Sequence, residues 1–382
     1  MAYLGENIPK LGFGLMRLPT KDREIDIEQT KEMVDLFLDS GFTYFDTAYG
    51  YAEGKSEEAA KTAIVDRYPR EKFQLATKLP AWAGANSAEE AKQMFWTSLE
   101  RTGAGYFDFY LLHNIGATRT KSFSDYGIWD YVLELKEKGL VRHIGFSFHD
   151  KAALLDEILT AHPEMEFVQL QINYGDWESG TVESRKCHEV VLKHGKSVVI
   201  MEPVKGGMLA NPAPEVKAVF DETNSGLSYA SWAIRFCASL DGVITVLSGM
   251  SSLEQMQDNV SYMKNFRPLD ETERAIISKA QTALSKIPSI PCTACSYCVS
   301  GCPRNIVIPQ IFEMLNRELI YKDLNSAKFG YSWETKFGGK ASDCVECGQC
   351  EEVCPQQIRI IDLLKEAANK FEARDPWMGA RG

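Results

Sequence analysis

No apolar run in the 382-residue sequence approaches the roughly 18 residues that a membrane span requires. The opening stretch, MAYLGENIPKLGFG, has neither a basic start nor a long apolar core, so it does not read as a signal peptide. Positive charge is scarce. Lys and Arg number 42 against 53 Asp and Glu, for a net charge of −11. That balance argues against nucleic acid as a partner and suits a soluble cytoplasmic protein. There is no low-complexity tract, and 45% hydrophobic with 25% charged residues is the composition of a globular chain. Glycine-rich nucleotide loops are missing too. Gly12-Phe13-Gly14-Leu15-Met16-Arg17 fails the dinucleotide pattern at its third glycine, and Gly50…Gly54-Lys55-Ser56 is one residue short of a phosphate loop. An open doubly wound sheet, the alternative to a closed barrel, would want such a loop after its first strand. Cysteine is nearly absent outside one region: eight of the ten lie between Cys292 and Cys354. A secreted disulfide protein would spread them, so the clustering argues for metal in a reducing compartment.

What is present is alternation. Over the first 250 residues, short apolar runs alternate with amphipathic runs of about a dozen residues, the pattern of repeated βα units. Strands are expected at Leu11–Leu15, Thr43–Asp46, Phe73–Lys78, Phe107–His113, Arg142–Ser147, Phe167–Ile172, Ser197–Met201 and Gly242–Leu247. Between them Asp26 can cap a helix over Ile27–Ser40 that Gly41 ends, and Val182–His194 ends at Gly195. Eight units in about 250 residues is the size of an α/β (β/α)8 barrel, a TIM barrel. One more helix is expected over Leu269–Lys286. Ile287-Pro288-Ser289-Ile290-Pro291 then makes a short stiff linker. The expected division is a barrel over 1–286, the linker 287–291 and a metal domain over 292–382.

Barrel enzymes work at the C-terminal ends of their strands. The apolar runs end in Asp46, Lys78, His113, Ser147, Gln171, Glu202 and Gly249, six of them polar. The stretch Gly41–Glu58, GFTYFDTAYGYAEGKSEE, places Tyr51 five residues after Asp46. Carbonyl reduction needs a hydride donor and a proton for the oxygen. A tyrosine is a proton donor at neutral pH, and a nearby ammonium tunes it. Asp46 can hold Lys78 charged, and His113 can polarise the carbonyl. The alternative is a structural Asp–Lys pair with a core histidine.

GFTYFDTAYGY…GKSEE, the LATK at 75–78, DFYLLH at 108–113 and IGFSFH at 144–149 resemble aldo-keto reductase motifs in their order, over roughly residues 5–265. The resemblance implies a barrel dependent on NADP(H) or NAD(H), with Asp46, Tyr51, Lys78 and His113 as catalytic tetrad. Its spacing selects Tyr51 over Tyr49. It also implies Ser147 and Gln171 on the nicotinamide carboxamide and Met201 against the nicotinamide ring. Gly249, Gln255 and Asn259 fall where the family binds the adenosine phosphate, with backbone amides around Ser251 and Ser252 available to a phosphate. Phe148 stands where the family has an asparagine, and Gly249 and Gln255 where it often has Lys and Arg.

Cys292, Cys295, Cys298 and Cys302-Pro303 follow the C-x2-C-x2-C-x3-C-P run, and Cys344, Cys347, Cys350 and Cys354-Pro355 repeat it. This run binds two 4Fe–4S clusters in bacterial-type ferredoxins, the fourth cysteine reaching the other cluster. The expected ligand sets are Cys292, Cys295, Cys298 with Cys354, and Cys344, Cys347, Cys350 with Cys302. Two zinc sites would instead want separated C-x2-C pairs. The 41 residues between Cys302 and Cys344, with a helical Pro309–Tyr321, resemble the helical ferredoxin-type domains of electron-transfer subunits.

The expected function is therefore an oxidoreductase acting on a small carbonyl or alcohol substrate. Its clusters serve electron transfer, sensing or structure, and a redox protein is the partner to expect at the iron–sulfur domain. A flavin mediator has no signature in the sequence. A different class of function stays open: an electron-transfer or regulatory protein whose barrel is a nucleotide-binding scaffold with little turnover.

Overall fold

Eight apolar runs become eight parallel strands in the computed structural model, which describes residues 4–372 apart from 23, 118, 181 and 337. They are β1 (Leu11–Gly14), β2 (Tyr44–Asp46), β3 (Gln74–Leu79), β4 (Phe107–Ile115), β5 (Val141–Phe148), β6 (Phe167–Gln171), β7 (Ser197–Met201) and β8 (Val243–Ser248). Each pairs with its neighbours in chain order, and β8 returns to β1, so the sheet closes into a barrel. The expected strands stand within two residues of these bounds. A small antiparallel hairpin, Thr20–Lys21 with Glu24–Ile25, was not foreseen.

Side chains alternate across a strand, so every second residue faces the lumen. Tyr44, Ala76, Phe109, Leu111, Phe167, Val199, Ile244 and Leu247 form an apolar cluster of their own. The opposite faces, Phe45 and Leu75 among them, pack with the surrounding helices in the larger core. Two residues beyond the lumen-facing Tyr44, Ala76, Leu111 and Phe167 come Asp46, Lys78, His113 and Gln169. The same period that fills the floor with apolar groups therefore points polar ones into the mouth. The helix Ile27–Asp39 is capped as expected, Asp26 accepting from the Gln29 amide at 3.1 Å. No helix among the described residues is long and apolar enough to cross a membrane.

The chain divides into two units, Met1–Val204 with Ser225–Ile277, and Lys205–Asn224 with Ser278–Gly382. In the second, Ile308–Tyr321, Leu324–Glu334 and Ile360–Ala367 pack around Ile306, Ile311, Phe312, Leu315 and Leu364. The proline-flanked Ile290 is docked into that unit: its amide and carbonyl bond the Asn316 side chain at 2.7 and 2.9 Å. The segment 373–382, part of the expected metal domain, lies outside the described residues.

Gly145 of β5 makes room for Phe167. A Cβ there would stand 2.3 Å from the Phe167 carbonyl oxygen and 2.7 Å from its ring. Gly145→Ala is expected to cost about 1–3 kcal/mol through overpacking, read as a lower urea midpoint at unchanged slope.

Candidate functional site

The Tyr51 loop is built by residues on both sides of it. Thr47 Oγ1 and Ser56 Oγ share a hydrogen bond of 2.7 Å, and Ser56 Oγ donates to the Leu15 carbonyl at 2.9 Å. Glu57 is fully buried and accepts from Thr77 Oγ1 at 2.7 Å. Burial pushes its carboxyl up, against hydrogen bonds from Ser98, Thr77 and Arg101. The chain turns through left-handed Ala52, Glu53 and Gly54. Gly54 is required there, because its φ is +94° and a Cβ would strike the Arg101 guanidinium at 2.7 Å. Arg101 donates to the Tyr49 carbonyl at 3.0 Å and lies over the Tyr49 ring at 4.6 Å.

Tyr51 faces the other way. Lys78 Nζ is 4.8 Å from its ring centroid, and the His113 ring is 5.9 Å away at 80°. Lys78 Nζ donates to Asp46 Oδ1 at 2.5 Å and to the Thr47 carbonyl at 2.7 Å. Both side chains of this pair are almost wholly buried, at 1% and 4% exposure. Burial pushes Asp46 up and Lys78 down, and each opposes the other's shift by holding its charge. Burial first, and then the Lys78 charge, push His113 well below its ordinary range, so it is a neutral imidazole. The four residues expected as a tetrad thus meet at the mouth of the barrel.

The residues expected to hold the dinucleotide follow around the rim. Ser147 Oγ is buried and accepts from the Asn114 amide at 2.7 Å. Gln171 Nε2 donates to Asp176 Oδ2 at 3.0 Å. Asn173 Nδ2 donates to the same oxygen at 2.9 Å and to the Glu202 carbonyl at 3.1 Å. Met201 ends β7 part-exposed, and Glu202 follows in the left-handed region with φ 56°. Gly249 lies against the stem of Arg17, whose Nη2 is 3.4 Å from Glu202 Oε1. The Ser251 amide is already taken by Gln255 Oε1 at 2.8 Å, while Ser252 caps the helix Leu253–Met263. Asn259 is buried, donating to Ser248 Oγ at 2.7 Å and accepting from the Tyr262 hydroxyl at 2.5 Å.

Sequence reasoning missed the groups that hold these residues: Arg17, Trp82, Arg119, Asn173 and Asp176. Trp82 Nε1 donates to the His113 carbonyl at 2.8 Å. Asn173 and Asp176 follow β6 directly, and polar residues just past a strand already read as functional were the available signal.

In the second unit the eight cysteines line two cavities. One holds Cys292, Cys295, Cys298 and Cys354 with Ile308, Phe312 and Ile360. The other holds Cys302, Cys344, Cys347 and Cys350 with Ile306, Ile361 and Leu364. Each combines three cysteines of one run with the fourth of the other. The backbone repeats as well. Ala294, Ser296 and Asn305 are left-handed, and so are Glu346, Gly348 and Gln357, at the same offsets from Cys292 and Cys344. Non-glycine residues in that region are strained and persist where the surroundings impose them. No disulfide joins any of the ten cysteines. Among the described residues, no three His, Cys, Asp or Glu side chains stand close enough to share one metal ion. Burial, then the neighbouring Cys295, Cys292, Cys354 and Cys350 sulfurs, push the Cys298 thiol up.

The model of the aldo/keto reductase family matches residues 10–282. The model of a 4Fe-4S dicluster domain matches residues 291–358. The uncharacterized oxidoreductase YqkF of Bacillus subtilis is 24% identical over 310 residues, 73% of this chain and 95% of the relative. An aldo-keto reductase of Mycolicibacterium vanbaalenii is 29% identical over 257 residues, 66% of this chain and 82% of that protein. The holo form of an aldo-keto reductase from Bacillus halodurans superposes with a TM-score of 0.57 at 26% identity, covering 72% of this chain and 92% of that one. An aldo/keto reductase from Klebsiella pneumoniae, in complex with NADP and acetate, shares the fold at 20% identity and a TM-score of 0.58, covering 71% and 91%.

Two neutral histidines make the site acid-sensitive. Burial, then the Arg119 charge, push His149 down to about 3, and His113 is also held low. A histidine kept neutral in the fold takes up its proton only on unfolding. Its contribution to stability is complete above the ordinary value of 6.5 and is lost as pH falls toward the folded value. Stability is expected to fall by up to about 1.4 kcal/mol per pH unit for each such group below that value. Urea titrations at pH 7 and pH 5 check this, and His149→Gln should flatten the dependence.

Proposed function

The chain belongs to the aldo/keto reductase family, and from that premise we propose that its barrel reduces a carbonyl compound, or oxidises the matching alcohol, using a nicotinamide dinucleotide. The observation that carries the reading is the grouping of Tyr51 with the Lys78 ammonium at 4.8 Å and the His113 ring at 5.9 Å. When bound, the nicotinamide supplies or takes up the hydride. The rest of the chemistry falls to the chain. Ser147 and Gln171, each fixed by a hydrogen bond of its own, would hold the carboxamide, and Met201 would lie against the ring. Arg17 brings a cation to the Gly249 side of the rim, which favours NADP(H) over NAD(H).

Tyr51 gives its proton to the carbonyl oxygen. Lys78 stabilises the phenolate left behind, and Asp46 keeps Lys78 charged in a site where burial alone would strip the proton from it. His113, being neutral, donates an N–H to the same oxygen and does not compete for the proton. Trp82 holds the His113 backbone and closes one wall. Tyr51→Phe is expected to lower kcat for carbonyl reduction by about 10²–10⁴-fold, with the dissociation constant of NADPH within about twofold of wild type. Unchanged turnover would refute the role.

For the second unit the proposal is two 4Fe–4S clusters with exchanged fourth ligands, used for electron transfer with a redox protein. The crossed lining of the two cavities supports the ligand sets. The exposed Cys347 and half-exposed Val345 support electron exchange at the surface. Exchange of ligands predicts an unusual pairing of phenotypes. Cys354→Ser should lose the same electron paramagnetic resonance signal as Cys298→Ser and leave the one that Cys350→Ser removes. If Cys354→Ser instead matches Cys350→Ser, the exchange does not occur.

A further inference from the structure

We propose that Glu57 and Arg101 are positioning residues for the proton transfer: together they select Tyr51 over Tyr49 and set its distance from Lys78. The inference rests on the reductase reading above. Two tyrosines stand two residues apart in one loop. Only Tyr51 meets the Lys78 ammonium, at 4.8 Å, and the His113 ring, at 5.9 Å.

The loop is held at Tyr49 from both sides. The Tyr49 amide donates to the Lys78 carbonyl at 3.3 Å, and the Tyr49 carbonyl accepts from Arg101 Nη1 at 3.0 Å. The Tyr49 ring lies against the same guanidinium at 4.6 Å and packs on the larger core. A cation over an aromatic face holds the ring there. Gly50 then leads to Tyr51, whose amide turns back to the Ala48 carbonyl at 3.1 Å. A residue clamped at both backbone groups, two positions before the proton donor, leaves that donor little freedom.

Arg101 is itself aimed by Glu57. Its Nη1 lies 3.4 Å from Glu57 Oε2, and Glu57 is fully buried. A carboxylate taken out of water is costly unless its oxygens are answered. Those of Glu57 are: Oε1 accepts from Thr77 Oγ1 at 2.7 Å, and Ser98 bonds the same side chain. Thr77 precedes Lys78 on β3, and side chains alternate across a strand. Glu57 therefore grips β3 on its outer face, at the residue before the one that reaches Tyr51 on the inner face. One carboxylate fixes the strand carrying Lys78 directly and the loop carrying Tyr51 through Arg101. Both residues act through the groups they hold.

The test uses the cluster-loaded protein, NADPH and the carbonyl probes 4-nitrobenzaldehyde, methylglyoxal and butanal. Arg101→Met and the isosteric Glu57→Gln should each lower kcat at least about tenfold, because displacing a reacting group by about 1 Å can cost a hundredfold. KM and NADPH affinity should stay within about twofold, and Arg101→Lys should recover part of the rate. In a Tyr51→Phe background the same substitutions should change the residual rate by less than about twofold, since groups that act as a unit are not additive. An equal fall in both backgrounds would mark general loosening and overturn the proposal, as would an unchanged kcat. A second readout needs no turnover. In protein labelled with carbon-13 tyrosine, the Tyr51 Cζ resonance, assigned by its loss in Tyr51→Phe, should move in both variants. If wild type reduces none of the probes yet that resonance moves, the positioning stands and the reductase reading fails. If the probes are reduced and the resonance stays in place, the positioning fails. Should Arg101→Met not fold, Glu57→Gln decides by the same two readouts.

Discussion

Everything at the mouth of the barrel depends on one buried ion pair. Asp46 and Lys78 sit on adjacent strands, lumen-facing, with an Nζ–Oδ1 separation of 2.5 Å. Taking two charges out of water costs several kcal/mol for each ion, and the attraction repays it only with good geometry and further hydrogen bonds. The further bond here is from Lys78 to the Thr47 carbonyl. It ties the ammonium to the first residue of the Tyr51 loop, so the group that assists Tyr51 also positions it. A buried pair of this kind contributes little net stability. Its value lies in fixing a charge where water would otherwise screen it.

The architecture was legible because short apolar runs alternate with amphipathic ones, and because the residue that ends each apolar run falls at the mouth. Apolar runs located the strands, and the polar residues that end them placed Asp46, Lys78 and His113 on one rim. The choice between Tyr49 and Tyr51 was not open to periodicity. It depends on Arg101, some fifty residues on, which takes up Tyr49 and leaves Tyr51 to the lumen. Arg119 and Trp82 were invisible for a related reason. Both lie on loops, where no repeat marks a residue, and their meaning comes from stacking across strands. The helix Leu324–Glu334 was missed because its sequence, LNSAKFGYSWE, buries only Ala327 and Tyr331 and leaves Phe329 and Trp333 outward.

The cysteine spacing was read directly, but spacing alone says nothing of the backbone between ligands. The structure adds a repeat of conformation. Three left-handed residues recur at matching offsets in each run, though the residue types differ: Ala294 with Glu346, Ser296 with Gly348, Asn305 with Gln357. Geometry kept while side chains differ points to a shared constraint on the chain, and wrapping three sulfurs about a cubane is such a constraint. Apolar side chains complete the lining of both cavities. Ile308 lines both, with Phe312 at one and Leu364 at the other. Each run lends its last cysteine to the other, so neither cavity is complete without both halves of the unit.

That interlocking bears on how the two chemistries of this chain relate. Hydride transfer moves an electron pair in one step, whereas an iron–sulfur cluster passes one electron at a time. A single cluster would match a nicotinamide neither in number nor in step. The two clusters proposed for one small unit would match it in number, since together they could store the pair. The mismatch in step remains, and it calls for a group able to take two electrons and release them singly, the chemistry of a flavin. The proposed tetrad requires nothing of the kind: in that reading Tyr51, Lys78 and His113 would complete a carbonyl reduction with the nicotinamide alone. On the proposed reading the barrel would be self-sufficient as a reductase, and any current between it and the clusters would be an addition to that chemistry. The proposed role of the C-terminal unit then rests on a partner of its own, and the exposed ligand loop around Cys347 and Val345 is where such a partner would meet it.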